Sequence, residues 1–537
     1  MVQYYHKYRQ NPERRTKMLL VHPTLISKID KYASEALGIP MRELMRRAGE
    51  AVANVVRTYV KKGSRVAVFA GKGNNGGDGY AAAGMLIDEY DITVYDVFSA
   101  GQKTEEGRYF LDELVSRGGT VKPLDLNDDF MRGVLDFDAF VDAVFGTGFM
   151  GELPHEAIEL AKIFESQPEK IKIAIDTPLG VNAADGSLLN GAAYHADATV
   201  VLGFIKTGLV SYPAKEYVGK IIFDDLSLQN NDVLSAFDFS DYYIDRELAA
   251  SLLPEREENS SKGCFGKLLV ACGSPAFAGA AHLSLEGSLR GGVGYVTYLG
   301  EKAMCDALIL KFPEAIYKPA SIPNLSASDL DGLYELFNKQ TAILVGSGSS
   351  KSEGLFRLVS YLLNTEGAPL ILDADAINVI AEKGEEGRAL VRTSKRTVIL
   401  TPHPLELSRL SGISTAKIQA NRISVAKAFA TENNCILVLK GAATIVTDGS
   451  ITYVNSTGSS ALAKAGSGDV LAGFLSSLVA SGASPVCASA LAVYFHGLAA
   501  DILADDLSEL GVTPSDLPKE ICRQIAKARK EKHSNFN

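Results

Sequence analysis

The stretch "VAVFAGKGNNGGDGYAAAGMLIDEY", Val66 to Tyr90, decides the fold of the first half of the chain. A short apolar run typical of a β-strand enters a glycine-rich turn, and small helix-forming residues follow. Gly71, Gly73 and Gly76 match GxGxxG, and Asp96 lies about twenty residues further on, near the end of the next predicted strand. The pattern predicts a strand, turn and helix of the dinucleotide-binding type, although GxGxxG alone is a weak signal.

The turn carries more polar side chains than its geometry needs. Asn74, Asn75, Gly76, Gly77 and Asp78 form a tight polar stretch at the start of the predicted helix. Its backbone N–H groups are suited to hold a diphosphate, and the side-chain oxygen of Asn75 is suited to hold a cation or the turn itself. The alternative is a turn closed by Asx hydrogen bonds and a helix N-cap.

Two carboxylates follow at the ends of later predicted strands. Asp142 precedes a glycine-rich loop in "VDAVFGTGFMGEL", and Asp176 ends a buried-looking run in "IAIDTPLGVNAADG". Because the carboxyl ends of parallel strands share one edge of a sheet, the pair predicts a cation site or a proton-transfer site there. A turn-capping role is the alternative for each acid alone. Lys206, in "FIKTGL", is either a proton-transfer partner of Asp176 or a solvated lysine.

Apolar runs, amphipathic stretches and glycine turns alternate along all 537 residues. A chain of this length is expected to form two or more domains, and the polar stretch at 227–241 places a boundary. We therefore predict two α/β domains with mostly parallel strands, residues 1–235 and 236–537. Ahead of the first glycine turn, helical spacing broken at Gly38-Ile39-Pro40 predicts two helices.

Composition excludes several classes of protein. The net charge of −10 and the pI of about 5.5 argue against a nucleic-acid partner and against an anionic membrane surface. No uninterrupted apolar run approaches the ~18–20 residues of a transmembrane helix, and the polar start, in which Met18 is an alternative to Met1, is unlike a secretory signal. The six cysteines form no CxxC pair, which predicts a reduced, cytoplasmic protein.

In the second half, "LAKAGSGDVLAGF" (Leu462 to Phe474) places Asp469 after a Gly-Ser-Gly turn and ahead of an apolar helical run. The free backbone N–H groups of such a helix N-terminus are suited to bind an anion. Asp469 is then a candidate general base acting on a hydroxyl group, beside a site where phosphoryl charge develops. Helix capping is the alternative, and we expect it as a secondary role.

Further polar residues stand at predicted strand ends in this half. His403 lies between two prolines in "ILTPHPLELSRL", and Lys440 ends the strand in "VLKGAATIVTDG", which indicates a nucleotide-binding edge. "VGSGSS" and "CGSPAFAGAAHLSLEGSLRGGVGY" add glycine turns at other strand ends. The Walker pattern GxxxxGK[ST] does not occur, which argues against a P-loop kinase.

The motifs of the first half resemble those of the NAD(P)HX epimerase family, which has a Rossmann-like three-layer fold. "AGKGNNGGDGY", "DAVFGTG" and "IDTPLGVNAADG" carry the resemblance, which covers roughly Leu20 to Leu226. It implies catalysis at Asp176. It also implies that hydrated NAD(P)H is bound by Asn74, Asn75, Gly76, Gly77, Asp78, Gly146, Thr147, Gly148, Phe149, Met150, Gly151, Glu152 and Asp176.

The same resemblance implies a potassium ion held by Asn75 and Asp142. The chain departs from the family at Leu179, where a serine usually helps to hold the cation. A leucine side chain has no atom that ligates a cation, so only the backbone of Leu179 is left to contribute. The resemblance therefore does not predict the affinity of this chain for potassium.

The second half resembles the ADP/ATP-dependent NAD(P)HX dehydratase family, which has a ribokinase-like α/β fold. The stretches "FAGAAHLS", "TPHPLE", "KGAATIV" and "NSTGSSALAKAGSGDVLAG" carry the resemblance over most of Tyr243 to Ile502. Leu405, Ser350 and Ser459-Ser460-Ala461 depart from the family pattern beside the site. The resemblance implies catalysis at Asp469, substrate contacts from Ala280, Gly348, His403 and Asp469, and nucleotide contacts from Lys440, Gly441, Ala442, Ala443, Thr444 and Gly468.

Together the two resemblances imply an isomerase and a lyase in one chain. The first domain would interconvert the R and S epimers of NADHX and NADPHX, and the second would dehydrate the S epimer at the expense of ADP, giving AMP and phosphate. Mg²⁺ and K⁺ are the expected ions. A homo-oligomer without nucleic-acid or membrane partners is the expected state, and ATP stays open as the donor.

Two alternatives remain. One alternative is that the second domain is a small-molecule hydroxyl kinase of the ribokinase-like group, which would yield a stable phosphorylated product. The other alternative, suggested by Leu179, is that the first domain is a non-catalytic binding module, which would show no epimer exchange.

Overall fold

The computed structural model describes residues 18–149 and 151–534. The chain divides into two compact units between Asp241 and Tyr242, at the end of the polar stretch 227–241. Each unit is built on one large β-sheet with helices packed against it. The predicted α/β class with mostly parallel strands is confirmed for both units.

The strands of unit 1 form a seven-stranded sheet and a separate short pair. They are β1 (Leu20–Val21), β2 (Arg65–Ala70), β3 (Asp91–Asp96), β4 (Thr120–Pro123), β5 (Ala139–Ala143), β6 (Ile171–Ile175), β7 (Ala198–Leu202), β8 (Ile205–Lys206) and β9 (Lys220–Asp224). The large sheet has the order β4-β3-β2-β5-β6-β7-β9, all parallel, and β1 pairs with β8. Strands β5 and β7 are buried along their whole length, as expected of a parallel sheet that is covered on both faces.

The helices of unit 1 cover this sheet and include the two predicted on either side of Gly38, whose φ is +65°. They are α1 (Pro23–Glu35), α2 (Met41–Tyr59), α3 (Asn74–Leu86), α4 (Glu105–Ser116), α5 (Asp128–Gly133), α6 (His155–Glu165), α7 (Ala214–Tyr217) and α8 (Asn231–Ala236). Helices α2 and α3 pack closely, since a Cβ atom at Gly49 would lie 2.6 Å from that of Ala81. This contact fixes α3, which carries the glycine turn.

The sheet of unit 2 has ten strands in the order β10-β19-β18-β17-β16-β15-β14-β11-β12-β13. Their bounds are β10 (Asp241–Ile244), β11 (Lys267–Ala271), β12 (Tyr295–Gly300), β13 (Ile316–Pro319), β14 (Ala342–Val345), β15 (Leu370–Leu372), β16 (Val398–Leu400), β17 (Ile436–Leu439), β18 (Ile445–Thr447) and β19 (Thr452–Asn455). Neighbours from β13 to β17 in this order are parallel, whereas β18 is antiparallel to both of its neighbours, β17 and β19. The turn between β17 and β18 therefore stands at the same edge as the carboxyl ends of the parallel strands.

The helices of unit 2 pack on this sheet. They are α9 (Arg246–Leu252), α10 (Ala278–Arg290), α11 (Lys302–Leu308), α12 (Ala327–Gly332), α13 (Tyr334–Asn338), α14 (Glu353–Asn364), α15 (Asp375–Glu382), α16 (Gly384–Arg392), α17 (Pro404–Ser411), α18 (Thr415–Ala420), α19 (Arg422–Asn433), α20 (Ser467–Ala480), α21 (Pro485–Gly511) and α22 (Leu517–Ser534). A Cβ atom at Gly287 of α10 would lie 2.5 Å from the carbonyl oxygen of Val470 in α20. Glycine thus lets these two helices meet at backbone distance.

Helix α21 is the one helix, among the residues described, that is long and apolar enough to cross a membrane by length and composition. Its most apolar window is 67% buried, and Ala488, Leu491 and Phe495 belong to the core of unit 2. Its apolar character is accounted for by this packing.

Candidate active sites

The glycine turn of unit 1 connects β2 to α3. A side chain at Gly71 would overlap the carbonyl oxygen of Val144, and one at Gly76 would overlap that of Gly71. The turn can therefore fold back on itself beside β5 only with glycine at these positions. Gly73 is the N-cap of α3, and no side chain of the described residues caps the first N–H groups of this helix.

Asn75 lies buried in this turn, with 7% of its surface exposed. Its side-chain N–H group donates to the backbone carbonyl of Ile175 at 3.1 Å, which ties α3 to the end of β6. Its Oδ1 atom is buried and has no hydrogen-bond partner among the described residues. An orphaned amide oxygen of this kind is available as a ligand for a cation.

Asp176 lies directly after β6 with a φ of +66°, a backbone conformation that is strained in a residue with a side chain. One carboxylate oxygen accepts hydrogen bonds from the backbone N–H (3.0 Å) and the hydroxyl group (2.6 Å) of Thr147. The other oxygen forms an ion pair with the ammonium group of Lys206. Burial raises the pKa of Asp176, but the charge of Lys206 and these hydrogen bonds outweigh burial and hold the pKa below its ordinary value.

Lys206 is a buried lysine and not a solvated one. It ends β8, has 1% of its surface exposed, and also donates to the carbonyl oxygen of Leu202 at 2.8 Å. Of the two readings that the sequence left open, the structure shows the pair with Asp176.

Two further carboxylates interact electrostatically with this pair. Asp78 lies in α3 and Asp30 lies in α1, and both are partly exposed. Burial and then the charges of Asp176 and Asp30 raise the pKa of Asp78, and burial raises the pKa of Asp30 to about 6. Asp30 was not predicted, because no motif surrounds it in its amphipathic helix. The cluster thus combines one lysine with two acids, Asp78 and Asp30, whose pKa values are raised.

Asp142 lies inside β5 and is buried. Its carboxylate accepts hydrogen bonds from the backbone N–H groups of Val144 (3.0 Å) and Leu179 (2.7 Å) and from the hydroxyl group of Tyr194 (2.9 Å). Burial nevertheless raises the pKa of Asp142 to about 6. The side chain of Leu179 belongs to the buried apolar cluster that includes Phe164, so this residue could reach a cation only through its backbone.

The predicted ligand loop, Gly146 to Glu152, meets both sets of polar residues at its first end. A Cβ atom at Gly146 would lie 3.2 Å from Asp176 Oδ2 and 3.3 Å from the side chain of Asn75. Phe149 stacks on Phe145 with ring centroids 3.9 Å apart. The rest of the predicted loop is exposed at Gly148, Gly151 and Glu152, and Met150 lies outside the described residues.

In unit 2, helix α20 begins after Gly466, whose φ is +104°. No side chain caps this helix, and the carboxyl group of Asp469 takes no hydrogen bond from the part of the chain that the structure describes. The secondary capping role expected of Asp469 is therefore wrong. The residue stands at the third position of the helix, partly exposed, with its carboxyl group available for other chemistry.

The pKa of Asp469 is raised to about 7. Burial is the largest cause, followed by the negative charge of Asp373, the opposing positive charge of Lys440 and the negative charge of Asp375. A carboxyl group with this pKa gains and loses a proton at neutral pH, which a general base requires.

The first turn of α20 is held by a hydrogen bond from the side chain of His496. The Nε2 atom of this buried imidazole lies 3.0 Å from the backbone oxygen of Ser467 and donates to it, since a carbonyl oxygen can only accept. Burial lowers the pKa of His496 to about 4, so the imidazole is neutral.

Four polar residues form a strand-end row: Ser347, Asp373, Thr401 and Lys440. Each lies within two residues of the carboxyl end of one of the adjacent strands β14 to β17. Asp373 accepts hydrogen bonds from Ser347 Oγ (2.8 Å), Thr401 Oγ1 (2.7 Å) and Lys440 Nζ (2.9 Å). Burial raises the pKa of Asp373, but Lys440 and the two hydroxyl groups hold it below its ordinary value.

The predicted nucleotide loop, Lys440 to Thr444, joins β17 to β18. Gly441 has a φ of +134° and Ala443 a φ of +51°. The guanidinium group of Arg422 donates to the carbonyl oxygens of Leu439 and Lys440, and its burial lowers its pKa to about 10. A Cβ atom at Gly468 would lie 3.5 Å from the ammonium group of Lys440, so the structure brings this loop to the start of α20.

His403 is the N-cap of α17 in a capping box with Glu406. Its Nδ1 atom accepts the backbone N–H of Glu406 (3.2 Å), and its own backbone N–H donates to the Glu406 carboxylate (2.8 Å). Burial lowers the pKa of His403. The imidazole is thus fixed by Glu406, and not by the flanking prolines alone.

The remaining predicted contacts, Ala280 and Gly348, are neighbours. A Cβ atom at Gly348 would lie 2.5 Å from that of Ala280 and 2.9 Å from that of Phe277. Ser350, with a φ of +58°, donates its backbone N–H to Asp375 at 2.9 Å. Asp373 and Asp375 were not predicted as site residues, although "LILDADA" places both directly after an apolar run.

The two sheets, their glycine turns and the ionisable clusters beside them define a two-domain α/β enzyme with one candidate reaction centre in each unit. Residues 268–523 match the family model described as NAD(P)H-hydrate dehydratase, and residues 41–208 match that described as YjeF-related protein N-terminus. The chain belongs to the family of bifunctional NAD(P)H-hydrate repair enzymes. The parallel sheets of both units agree with the Rossmann-like and ribokinase-like folds that the two resemblances implied.

Similar proteins span nearly the whole chain. The bifunctional NAD(P)H-hydrate repair enzyme Nnr of Moorella thermoacetica is 32% identical over 517 residues, which cover 93% of this chain and 95% of that protein. The enzyme of the same name from Escherichia coli is 30% identical over 495 residues, which cover 92% and 91%. A crystal structure of the ADP/ATP-dependent NAD(P)H-hydrate dehydratase from Bacillus subtilis with ATP/Mg²⁺ is 29% identical, with a TM-score of 0.47, and covers 53% of this chain and 97% of that one.

Proposed function

We propose that unit 1 interconverts the R and S epimers of NADHX and NADPHX, and that unit 2 dehydrates the S epimer at the expense of ADP. The observation that carries this proposal is Asp469. Its carboxyl group does not cap the helix and has a pKa of about 7. It lies in the first turn of α20, which follows Gly466, near the ammonium group of Lys440. A general base that can accept the proton of a hydroxyl group thus lies beside positive groups that can stabilise the charge of a phosphoryl group during its transfer.

In the proposed dehydration, Asp469 takes the proton of the ring hydroxyl group while the hydroxyl oxygen attacks the terminal phosphorus of ADP. The bond from this phosphorus to AMP breaks, and AMP leaves. The ring C–O bond then breaks, phosphate leaves, the neighbouring ring carbon loses a proton, and the double bond of the reduced nicotinamide returns. The nucleotide is needed because phosphate is a far better leaving group than hydroxide.

Mg²⁺ fits unit 2 as an ion held chiefly by the nucleotide. Among the described residues there is no group of three or more His, Cys, Asp or Glu side chains that could hold a metal alone, and Mg²⁺ bound to phosphates needs only one or two carboxylates. Asp375 would supply one such carboxylate beside the phosphate oxygens. The ion would neutralise charge on the phosphates during transfer.

For epimerisation we propose that the Asp176–Lys206 pair handles the proton at the reacting ring, with Asp78 and Asp30 as neighbouring proton-holding groups. The strained backbone of Asp176 and the two hydrogen bonds from Thr147 fix its carboxylate in one place. The N-terminus of α3 beside it would bind the diphosphate of the substrate.

K⁺ fits unit 1 because, within residues 18–149 and 151–534, the buried Asn75 Oδ1 has no hydrogen-bond partner and no cationic group donates to the buried Asp142 carboxylate. These two residues would hold the ion, which would offset the negative charge at the turn. The cytoplasmic location, the homo-oligomeric state and the choice of ADP are proposed on the sequence grounds alone.

The test is recovery of absorbance in the reduced nicotinamide band. The full chain is mixed with both NADHX epimers, Mg²⁺, K⁺ and either ADP or ATP, beside Asp469→Asn. Full recovery with the wild type and none with the variant would support both activities and name the donor. Recovery that stops when the S epimer is consumed would contradict epimerisation, and a stable phosphorylated product would favour a hydroxyl kinase.

A further inference from the structure

Asp373 is a buried carboxylate that the proposed chemistry does not use. It is 1% exposed, and its donors come from three other strand ends: Ser347, Thr401 and Lys440. A buried charge is costly unless a counter-charge and hydrogen bonds compensate it. Here one ammonium group and two hydroxyl groups do so, and the carboxylate in turn holds the ammonium group of Lys440 in place.

Lys440 is held by contacts of both its backbone and its side chain. The backbone N–H of Lys440 donates to the carbonyl oxygen of Pro402 at 2.9 Å, and the carbonyl oxygen of Lys440 accepts from Arg422 at 3.2 Å. The far end of the side chain is bound to Asp373 and lies against Gly468, one residue before Asp469. A lysine has four flexible bonds, so without Asp373 nothing among these contacts would fix the ammonium group.

We propose that Asp373 is a positioning residue of unit 2: it holds the Lys440 ammonium group against the first turn of α20, where the phosphoryl group is transferred. This inference rests on the proposed dehydration. A charge that is fixed in advance stabilises the developing phosphoryl charge without reorganisation. Its loss affects the transition state more than the bound nucleotide, so kcat falls more than KM rises.

The test is a double-mutant cycle in the full chain with Asp373→Asn, Lys440→Met and the two combined. We expect Asp373→Asn to lower kcat for dehydration by about 10-fold to 100-fold. Because Asp373 acts through Lys440, the combined variant should lose no more than Lys440→Met alone. Losses that multiply, or an Asp373→Asn variant as active as the wild type, would overturn the proposal.

Two controls separate positioning from folding. Epimer exchange by unit 1 of the same molecules should be unchanged, and thermal unfolding reports whether unit 2 is intact. If Asp373→Asn does not fold, Thr401→Val removes one hydrogen bond from Asp373 and should lower kcat several-fold, which Thr401→Ser should largely restore. Equal activity of Val and Ser variants would contradict the role of Asp373.

The proposed function and this inference fail in different ways. A wild-type chain that dehydrates neither epimer with either nucleotide would overturn both. A wild-type chain that dehydrates the S epimer, with variants that do not follow the cycle, would overturn only the role of Asp373.

Discussion

The hydroxyl group of Thr147 lies 2.6 Å from Asp176 Oδ2, and the backbone N–H of the same residue donates to the same oxygen. We expect Thr147→Val to slow epimerisation about 10-fold, because a hydrogen bond to a charged group is worth ~1.5–3 kcal/mol. The lost bond should also raise the pKa of Asp176. Thr147→Ser, which keeps the hydroxyl group, is the matched control. Epimer exchange followed by NMR across pH measures both effects, and equal rates for the two variants would contradict this role.

The Lys206–Asp176 pair should contribute to the stability of unit 1. Lys206→Met leaves a buried carboxylate without its cation, which we expect to cost ~3–5 kcal/mol. With Lys206 gone, burial raises the pKa of Asp176, so the loss should shrink as pH falls and the acid becomes protonated. Thermal unfolding of the full chain at several pH values measures this. The double variant Lys206→Met/Asp176→Asn should recover part of the loss, and no recovery would argue against charge as the cause.

Leu179 is expected to limit the affinity of unit 1 for potassium. Leu179→Ser places a hydroxyl group where the family resemblance implies one, and we expect the K⁺ concentration for half-maximal epimerisation to fall. The variant should also lose ~2–4 kcal/mol of stability, because it removes a buried leucine and leaves a cavity. Leu179→Ala makes a similar cavity without the hydroxyl group. If both variants respond to K⁺ alike, the side chain is not what sets the affinity.

The dehydration rate should depend on the ionisation of Asp469. A general base must be deprotonated, and the pKa of Asp469 is raised to about 7. We therefore expect kcat/KM to rise as pH rises through about 7. In Lys440→Met the loss of a positive charge should move this limb to higher pH. A profile that is flat between pH 6 and 8 would argue against Asp469 as the base.

The nucleotide loop should tolerate no side chain at Gly441. Its φ of +134° is unfavourable for other residues, and a Cβ atom would lie 3.2 Å from the guanidinium group of Arg422. We expect Gly441→Ala to raise the Kd for the nucleotide about 10-fold, since the strain amounts to ~1–3 kcal/mol. Gly482→Ala, also at positive φ but with open space around it, is the control for strain alone. Isothermal titration with ADP or ATP measures the difference.

The central strands of both sheets could be predicted because burial on both faces makes them continuous apolar runs. The edge strands β4 and β13 could not be, since each is mostly exposed and ends in proline. Strands β1 and β8 have two residues each, which is too short for any pattern.

The site could be predicted where glycine turns mark it and not where packing alone builds it. Asn75 and Asp469 stand inside such turns. Asp373 is separated from Lys440 by 67 residues, so only the adjacency of β15, β16 and β17 reveals the pair. The capping box of His403 could have been predicted, because Glu406 is an acid three residues after the N-cap position. The fixed position of His403 was attributed to the flanking prolines instead.

The neutral imidazole beneath helix α20 gives unit 2 two separate responses to acid. Protonation of Asp469 near pH 7 is a local and reversible loss of rate. His496 keeps a pKa of about 4 in the fold but about 6.5 in the unfolded chain. Between these values the unfolded chain binds the extra proton, so the fold weakens as pH falls. Mild acid should thus stop dehydration before it lowers the stability of unit 2 around α20. A brief exposure to mild acid would therefore inactivate the enzyme reversibly.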